Sequence, residues 1–148
     1  MVNQNKEILL VEDNPDDVEL TRIAFAEAGS GYAIRVVTDG AQALDYLLAR
    51  GAHADRDIND VPALVLLDLN LPKLNGREVL QGIRENPVTR SLPVVVLTTS
   101  AEPMDVGSVY ELGANSYIQK PVEFDRFVEV VRQVGRYWLG INLPPRRC

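Results

Sequence analysis

Short apolar runs punctuate the chain, and each ends in polar residues. Ile8-Leu9-Leu10-Val11 leads into Glu12 and Asp13, and Leu64-Val65-Leu66-Leu67 into Asp68. Leu92 to Leu97 leads into Thr98-Thr99-Ser100, and the shorter Ser116-Tyr117-Ile118 into Lys120-Pro121. Unbroken runs of this length, bounded by turn residues, predict strands buried on both faces. Tyr32 to Val37 predicts one more strand, second in chain order.

Between these runs the period changes to that of helices. Asn14-Pro15, followed by Asp16, Asp17 and Glu19, opens a helix to about Ala28, where Gly29 stops it. Asn caps, Pro fits the first helical position, and acids suit the positive end of the helix dipole. Thr38-Asp39-Gly40 starts a helix to about Leu48, with Ala43, Leu44, Leu47 and Leu48 on one side. Asn75-Gly76 starts another, with Val79, Leu80 and Ile83 inward, and Asn86-Pro87 ends it. Pro103 begins a weak helix that stops at Gly113, and a last one runs from Glu123 to about Trp138. Residues 51–62 read as a polar surface insertion. Five strands alternating with five helices predict an α/β fold: a doubly wound parallel sheet covered on both faces. One domain is expected, with a core of about residues 6–138 and a tail over 139–148.

Composition narrows the partners. The 148 residues carry a net charge of −6, and the one basic run is Arg146-Arg147. Phosphate binding needs clustered Lys and Arg, so nucleic acid is not the expected partner. The single cysteine, Cys148, cannot form an internal disulfide, which fits a reducing compartment. No apolar run approaches the roughly 18 residues of a membrane helix, and the first seven residues lack a signal-peptide core. A cytoplasmic protein with no membrane partner is expected.

In doubly wound sheets ligands bind beyond the carboxyl ends of the strands. That edge collects Glu12, Asp13, Asp68, Thr98 and Lys120. Three carboxylates in one crevice repel unless a cation joins them. An all-oxygen, water-rich site suits Mg²⁺, and no zinc site is suggested, since His53 lies in the surface loop. A carboxylate beside Mg²⁺ and a lysine can act as a nucleophile on phosphorus. A hydroxyl at a strand end can hydrogen-bond a phosphoryl oxygen, which makes Thr98 a sensor of the reaction. Taken singly, each residue has an ordinary explanation as a helix-start acid, a turn residue, a strand former or a solvated charge. Their conjunction at one sheet edge is the signal.

These residues carry a resemblance. Glu12-Asp13, Asp68 followed by Pro72 and Gly76, Thr98, and Lys120-Pro121 stand in the order and spacing of the CheY-like receiver domains of two-component response regulators. The resemblance covers about Lys6 to Trp138 and implies a flavodoxin-like strand order of 2-1-3-4-5. It implies that Asp68 is the phosphoacceptor, and that Glu12, Asp13, Asp68 and the backbone carbonyl of Asn70 hold Mg²⁺. It further implies that Lys120 binds the phosphoryl group, that Thr98 and Tyr117 form the switch, and that Asn70 and Ser100 tune loss of the phosphoryl group. It implies a cis Lys120–Pro121 bond and a sensor histidine kinase as partner. Beyond that, the Leu-Thr-Thr-Ser run, the long loop before the third strand and the ending Tyr137-Trp138-Leu139 with Leu143-Pro144 are similar to the single-domain regulators paired with phytochromes, usually homodimers. No second domain is expected after the last helix, with output by protein contact or onward phosphotransfer.

The last helix offers its own reading. Phe124, Phe127, Val128, Val131 and Trp138 form one stripe at 100° per residue, and Val130, Val134, Tyr137 and Ile141 form a second beside it. The apolar arc exceeds the ~100° that one buried face requires. The second stripe is therefore expected to contact a second copy or another partner, with the folded-back tail as the alternative cover. Two other functions compete with the signalling role. A phosphatase of the haloacid dehalogenase class would need a second acid where Asn70 stands. A receiver used only for binding would lack site residues that this chain has. The expected protein is thus a phosphoacceptor in signalling, catalysing only its own phosphotransfer and dephosphorylation.

Overall fold

The computed structural model describes residues 7–27 and 31–145. Five parallel strands, β1 (Glu7–Val11), β2 (Ala33–Val37), β3 (Leu64–Leu67), β4 (Val94–Thr98) and β5 (Ser116–Gln119), form one sheet in the order β2-β1-β3-β4-β5. Helices α1 (Pro15–Glu27), α2 (Gly40–Leu47), α3 (Gly76–Glu85), α4 (Pro103–Glu111) and α5 (Phe124–Arg136) alternate with them. The expected class and strand order hold. The expected end of the first helix at Ala28 and Gly29 lies outside the described residues.

Successive side chains of a strand point to opposite faces. Leu9, Val11, Val65, Leu67, Val94 and Val96 pack with Leu44, Leu47, Val79, Leu80, Ile83 and Val109 of α2, α3 and α4. Ile8, Leu10, Leu64, Leu66, Val95 and Leu97 pack with Phe25 of α1 and Phe127, Val128, Val131 and Val134 of α5. Both faces are covered, so the inner strands need apolar residues at every position.

α1 and α5 approach closely. A Cβ on Gly135 would lie 2.6 Å from Phe25 Cε1, so any larger residue would displace the ring. This contact turns α5 away from the expected orientation. Val134 is 7% exposed and belongs to the core, whereas Phe124 is 56% exposed. The expectation for these two residues is thus reversed, because periodicity defines an apolar arc but not which edge of it meets the sheet. Of the rest of the second stripe, Val130 is half-buried and Tyr137 and Ile141 are exposed. After Arg136 the chain closes a π-type turn over Tyr137–Ile141, with the Asn142 N–H donating to the Tyr137 carbonyl. Trp138 and Leu139 rest on the α1–α5 side of the core.

Residues 51–62 are better anchored than a polar insertion implies. The Arg56 guanidinium lies 3.9 Å from the centre of the Tyr46 ring and donates to the Tyr46 and Asp60 carbonyls. The His53 ring meets Tyr46 edge-on, and Val61 is buried. Cation–π and ring contacts thereby fasten the loop to α2. Arg84 of α3 does similar work on the opposite flank. It donates to the carbonyls of Gly113, Arg90 and Leu92 and to Asn115 Oδ1, all at 2.8–2.9 Å. No cis peptide bond occurs among the described residues, so Lys120–Pro121 is trans, contrary to expectation. Trans is the ordinary state of an X–Pro bond, favoured by about 0.5–1 kcal/mol.

Candidate functional site

The register of the sheet builds the site. Val11 stands opposite Leu67, so Glu12 and Asp68 leave β1 and β3 side by side, and the Asp68 N–H donates to the Val11 carbonyl. Thr98 pairs with Gln119, and the next residue, Lys120, donates its N–H to the Thr98 carbonyl. Glu12, Asp68, Thr98 and Lys120 are all buried, while Asp13 is exposed.

Lys120 Nζ reaches across the sheet edge to three carboxylates: Glu12 Oε1 at 2.6 Å, Asp17 Oδ2 at 2.8 Å and Asp68 Oδ2 at 3.0 Å. Burial on its own would lower the lysine pKa. The hydrogen bonds and charges of Asp17, Glu12 and Asp68 outweigh it and raise the pKa, so the group stays an ammonium ion. Burial pushes the Glu12 carboxyl up to about 7, opposed by the hydrogen bond from Lys120 and assisted by the Asp68 charge.

Glu12, Asp13 and Asp68 each offer a carboxylate oxygen, all within 4.8 Å of one another. A purely oxygen donor set, exposed on the Asp13 side, fits a hard divalent cation. The Asn70 N–H donates to Asp68 Oδ1 at 3.2 Å and fixes the carboxylate plane from the other side. Behind it, a Cβ on Gly76 would fall 2.5 Å from the Asp68 carbonyl oxygen. Only glycine lets the start of α3 sit against the loop after β3. Asn75 caps that helix in a reciprocal pair with Glu78, which holds the loop's exit.

The β4–β5 half is built differently. Thr98 Oγ1 is the one buried side-chain polar atom among the described residues with no hydrogen-bond partner. Two residues on, the Ser100 hydroxyl donates to Asp105 Oδ2 at 2.6 Å, and Asp105 is also bonded to Arg77 of α3. Ser100 therefore binds the first turn of α4 and not an acid of the site. Tyr117 packs against the α2–α4 side of the core, and its hydroxyl donates to the Ser100 carbonyl at 2.8 Å.

The structure thus brings Glu12, Asp13, Asp68, Asn70, Thr98 and Lys120 to one edge, with Tyr117 linked to it through the β4–α4 loop. Sequence reasoning missed Asp17, which it counted only as an acid of the first helical turn. The available signal was its spacing, four residues beyond Asp13 on the helix that leaves β1.

Comparison with known proteins identifies the class. Residues 8–132 match the response regulator receiver domain profile. The chain belongs to that family. Among characterised relatives, it is 41% identical to the probable methanogenesis regulatory protein FilR2 of Methanothrix harundinacea, over 93% of this chain and 86% of that one. It is 38% identical to response regulator Rcp1 of Synechocystis, over 96% of this chain and 95% of that one. Among solved structures, the phosphorylated cyanobacterial phytochrome response regulator RcpA superposes with a TM-score of 0.89 at 38% identity, covering 96% of this chain and 99% of that one. The Mn²⁺-bound form of Rcp1 gives 0.88 at 37% identity, covering 95% and 99%. The bacteriophytochrome response regulator RtBRR gives 0.76 at 49% identity, covering 96% and 85%. Among the described residues no helix is long and apolar enough to cross a membrane.

Proposed function

We propose that this regulator is a phosphorylation switch that takes a phosphoryl group from a histidine kinase onto Asp68. The observation that carries this reading is the buried Asp68 carboxylate, bonded to Lys120 on one side and grouped with Glu12 and Asp13 on the other. In the transfer, an Asp68 oxygen bonds to phosphorus as the P–N bond of phosphohistidine breaks, and the electron pair leaves with the imidazole, which takes up a proton. Glu12, Asp13 and Asp68, with the Asn70 carbonyl, would hold Mg²⁺, which offsets the charge of the phosphoryl oxygens when bound. Lys120 supplies the second positive charge. Thr98 Oγ1, buried without a partner among the described residues, is free to donate to a phosphoryl oxygen, and movement of its strand end would reach Tyr117 through Ser100. Asn70, exposed beside Asp68, sets water access to the phosphoryl group, whereas Ser100 acts on it through the loop. The protein's own catalysis is confined to this transfer and to loss of the group.

RcpA, a cyanobacterial phytochrome response regulator, and RtBRR, a bacteriophytochrome response regulator, support a phytochrome-type kinase as the donor, and the cytoplasm is the proposed place of action. Val130, Tyr137 and Ile141, without Val134, are the surface proposed for a homodimer. The test is the intact mass after incubation with acetyl phosphate, with and without Mg²⁺, on wild type and Asp68→Asn. A Mg²⁺-dependent phosphoryl adduct on wild type alone is expected. An adduct that persists on Asp68→Asn would overturn the choice of acid.

A further inference from the structure

An ammonium group has three N–H donors. Those of Lys120 are all used, by Glu12, Asp17 and Asp68. Two of these acceptors have a second claim on them, because Glu12 and Asp68 also belong to the carboxylate group suited to a cation. Asp17 does not. Among the described residues it is the one carboxylate in contact with Lys120 that stands outside that group.

Its position is fixed by local structure. Asn14 Oδ1 accepts the N–H groups of Asp16 and Asp17, at 2.9 and 3.3 Å, and caps α1. The Asp17 carbonyl in turn accepts the Thr21 hydroxyl at 2.8 Å. The Asp17 side chain is 19% exposed, so its bond to Lys120 is sheltered from water more than a surface ion pair.

A divalent cation and an ammonium ion cannot draw on the same two carboxylates without opposing each other. A cation on Glu12 and Asp68 weakens their hold on Lys120 and repels it. We infer that Asp17 is a positioning residue: it holds Lys120 while the cation occupies Glu12, Asp13 and Asp68, and so lets both positive charges stand at one nucleophile. This rests on the cation-dependent reading above. Without Asp17, the ammonium group settles on Glu12 and Asp68 and competes with the metal.

The experiment measures Mn²⁺ affinity, with free Mn²⁺ counted by electron paramagnetic resonance. It uses wild type, Asp17→Asn, Asp17→Glu, Lys120→Met and the double variant Asp17→Asn/Lys120→Met, each confirmed folded by its thermal transition. Asp17→Asn should lower affinity about fivefold in the presence of Lys120 and hardly at all in its absence, a coupling that a double-mutant cycle isolates. Asp17→Glu should recover most of the loss. An equal loss with and without Lys120 would show that Asp17 acts on the metal by its charge alone, and would overturn the inference. So would an unchanged affinity in Asp17→Asn. A wild-type protein that binds no Mn²⁺ would overturn the cation-dependent reading itself, and this inference with it.

Discussion

The two halves of the site edge hold the same kind of buried polar residue in opposite conditions. At the β1–β3 half, Lys120 reaches three carboxylates and every donor is matched. At the β4 end, Thr98 is just as deeply buried, yet its hydroxyl has no partner among the described residues. A matched group keeps a resting structure in place. An unmatched one leaves free energy to be gained when an acceptor arrives. On the proposed function, the first half receives charge and the second reports it.

The strongest challenge to this contrast is Lys120→Met. If the lysine neutralises incoming charge, the rate of phosphorylation by acetyl phosphate should fall about 100-fold, the scale of losing one aimed electrostatic donor. A fall of only a fewfold would make the lysine a structural tie. The second challenge is pH. Burial pushes Glu12 up to about 7, so below that pH its proton must leave before a cation can bind. Mg²⁺ affinity should therefore rise as pH goes from 6 to 8, by about tenfold for one such group, and level off above. Calorimetry in buffers of different ionisation enthalpy would count the released proton. The mildest test is Thr98→Val. Removing an unmatched buried hydroxyl should leave resting stability unchanged or raise it by about 1 kcal/mol, read by denaturant unfolding. The same variant should accept phosphate and yet lose any phosphorylation-dependent change in assembly, read by sedimentation. Destabilisation by several kcal/mol would mean that the hydroxyl has a resting role.

Much of this was legible in the sequence because strand burial leaves a plain trace. Val65 and Leu66 point to opposite faces, and both must be apolar when helices cover both. The site followed from topology, since parallel strands place all their carboxyl ends at one edge. The failures share a cause. Val134 and Phe124 exchanged roles because a helix's rotation is set by what it meets, here Phe25 against Gly135. A charge at Val134 should cost several kcal/mol as a core change, whereas Ile141→Asp should leave folding intact and test the proposed dimer. Arg84 and Arg56 drew no reading from the sequence, and Asp17 was taken only as an acid of the first helical turn, because nothing local reveals that carbonyls, a ring or an ammonium group from distant segments will converge on them.

The contact between α1 and α5 has a consequence for the order of events on the ribosome. Chains emerge N-terminus first. The β1, β3 and α2–α4 layer can begin to close as its segments appear, but Ile8, Leu10 and Phe25 wait with one face open until α5 has been made. The nascent chain therefore carries an apolar sheet face covered by α1 alone until α5 is made. Glu12 and Asp68 meet no ammonium group until Lys120 follows β5, so the charge balance of the site and the cover of that face are completed together, by the same last stretch of chain.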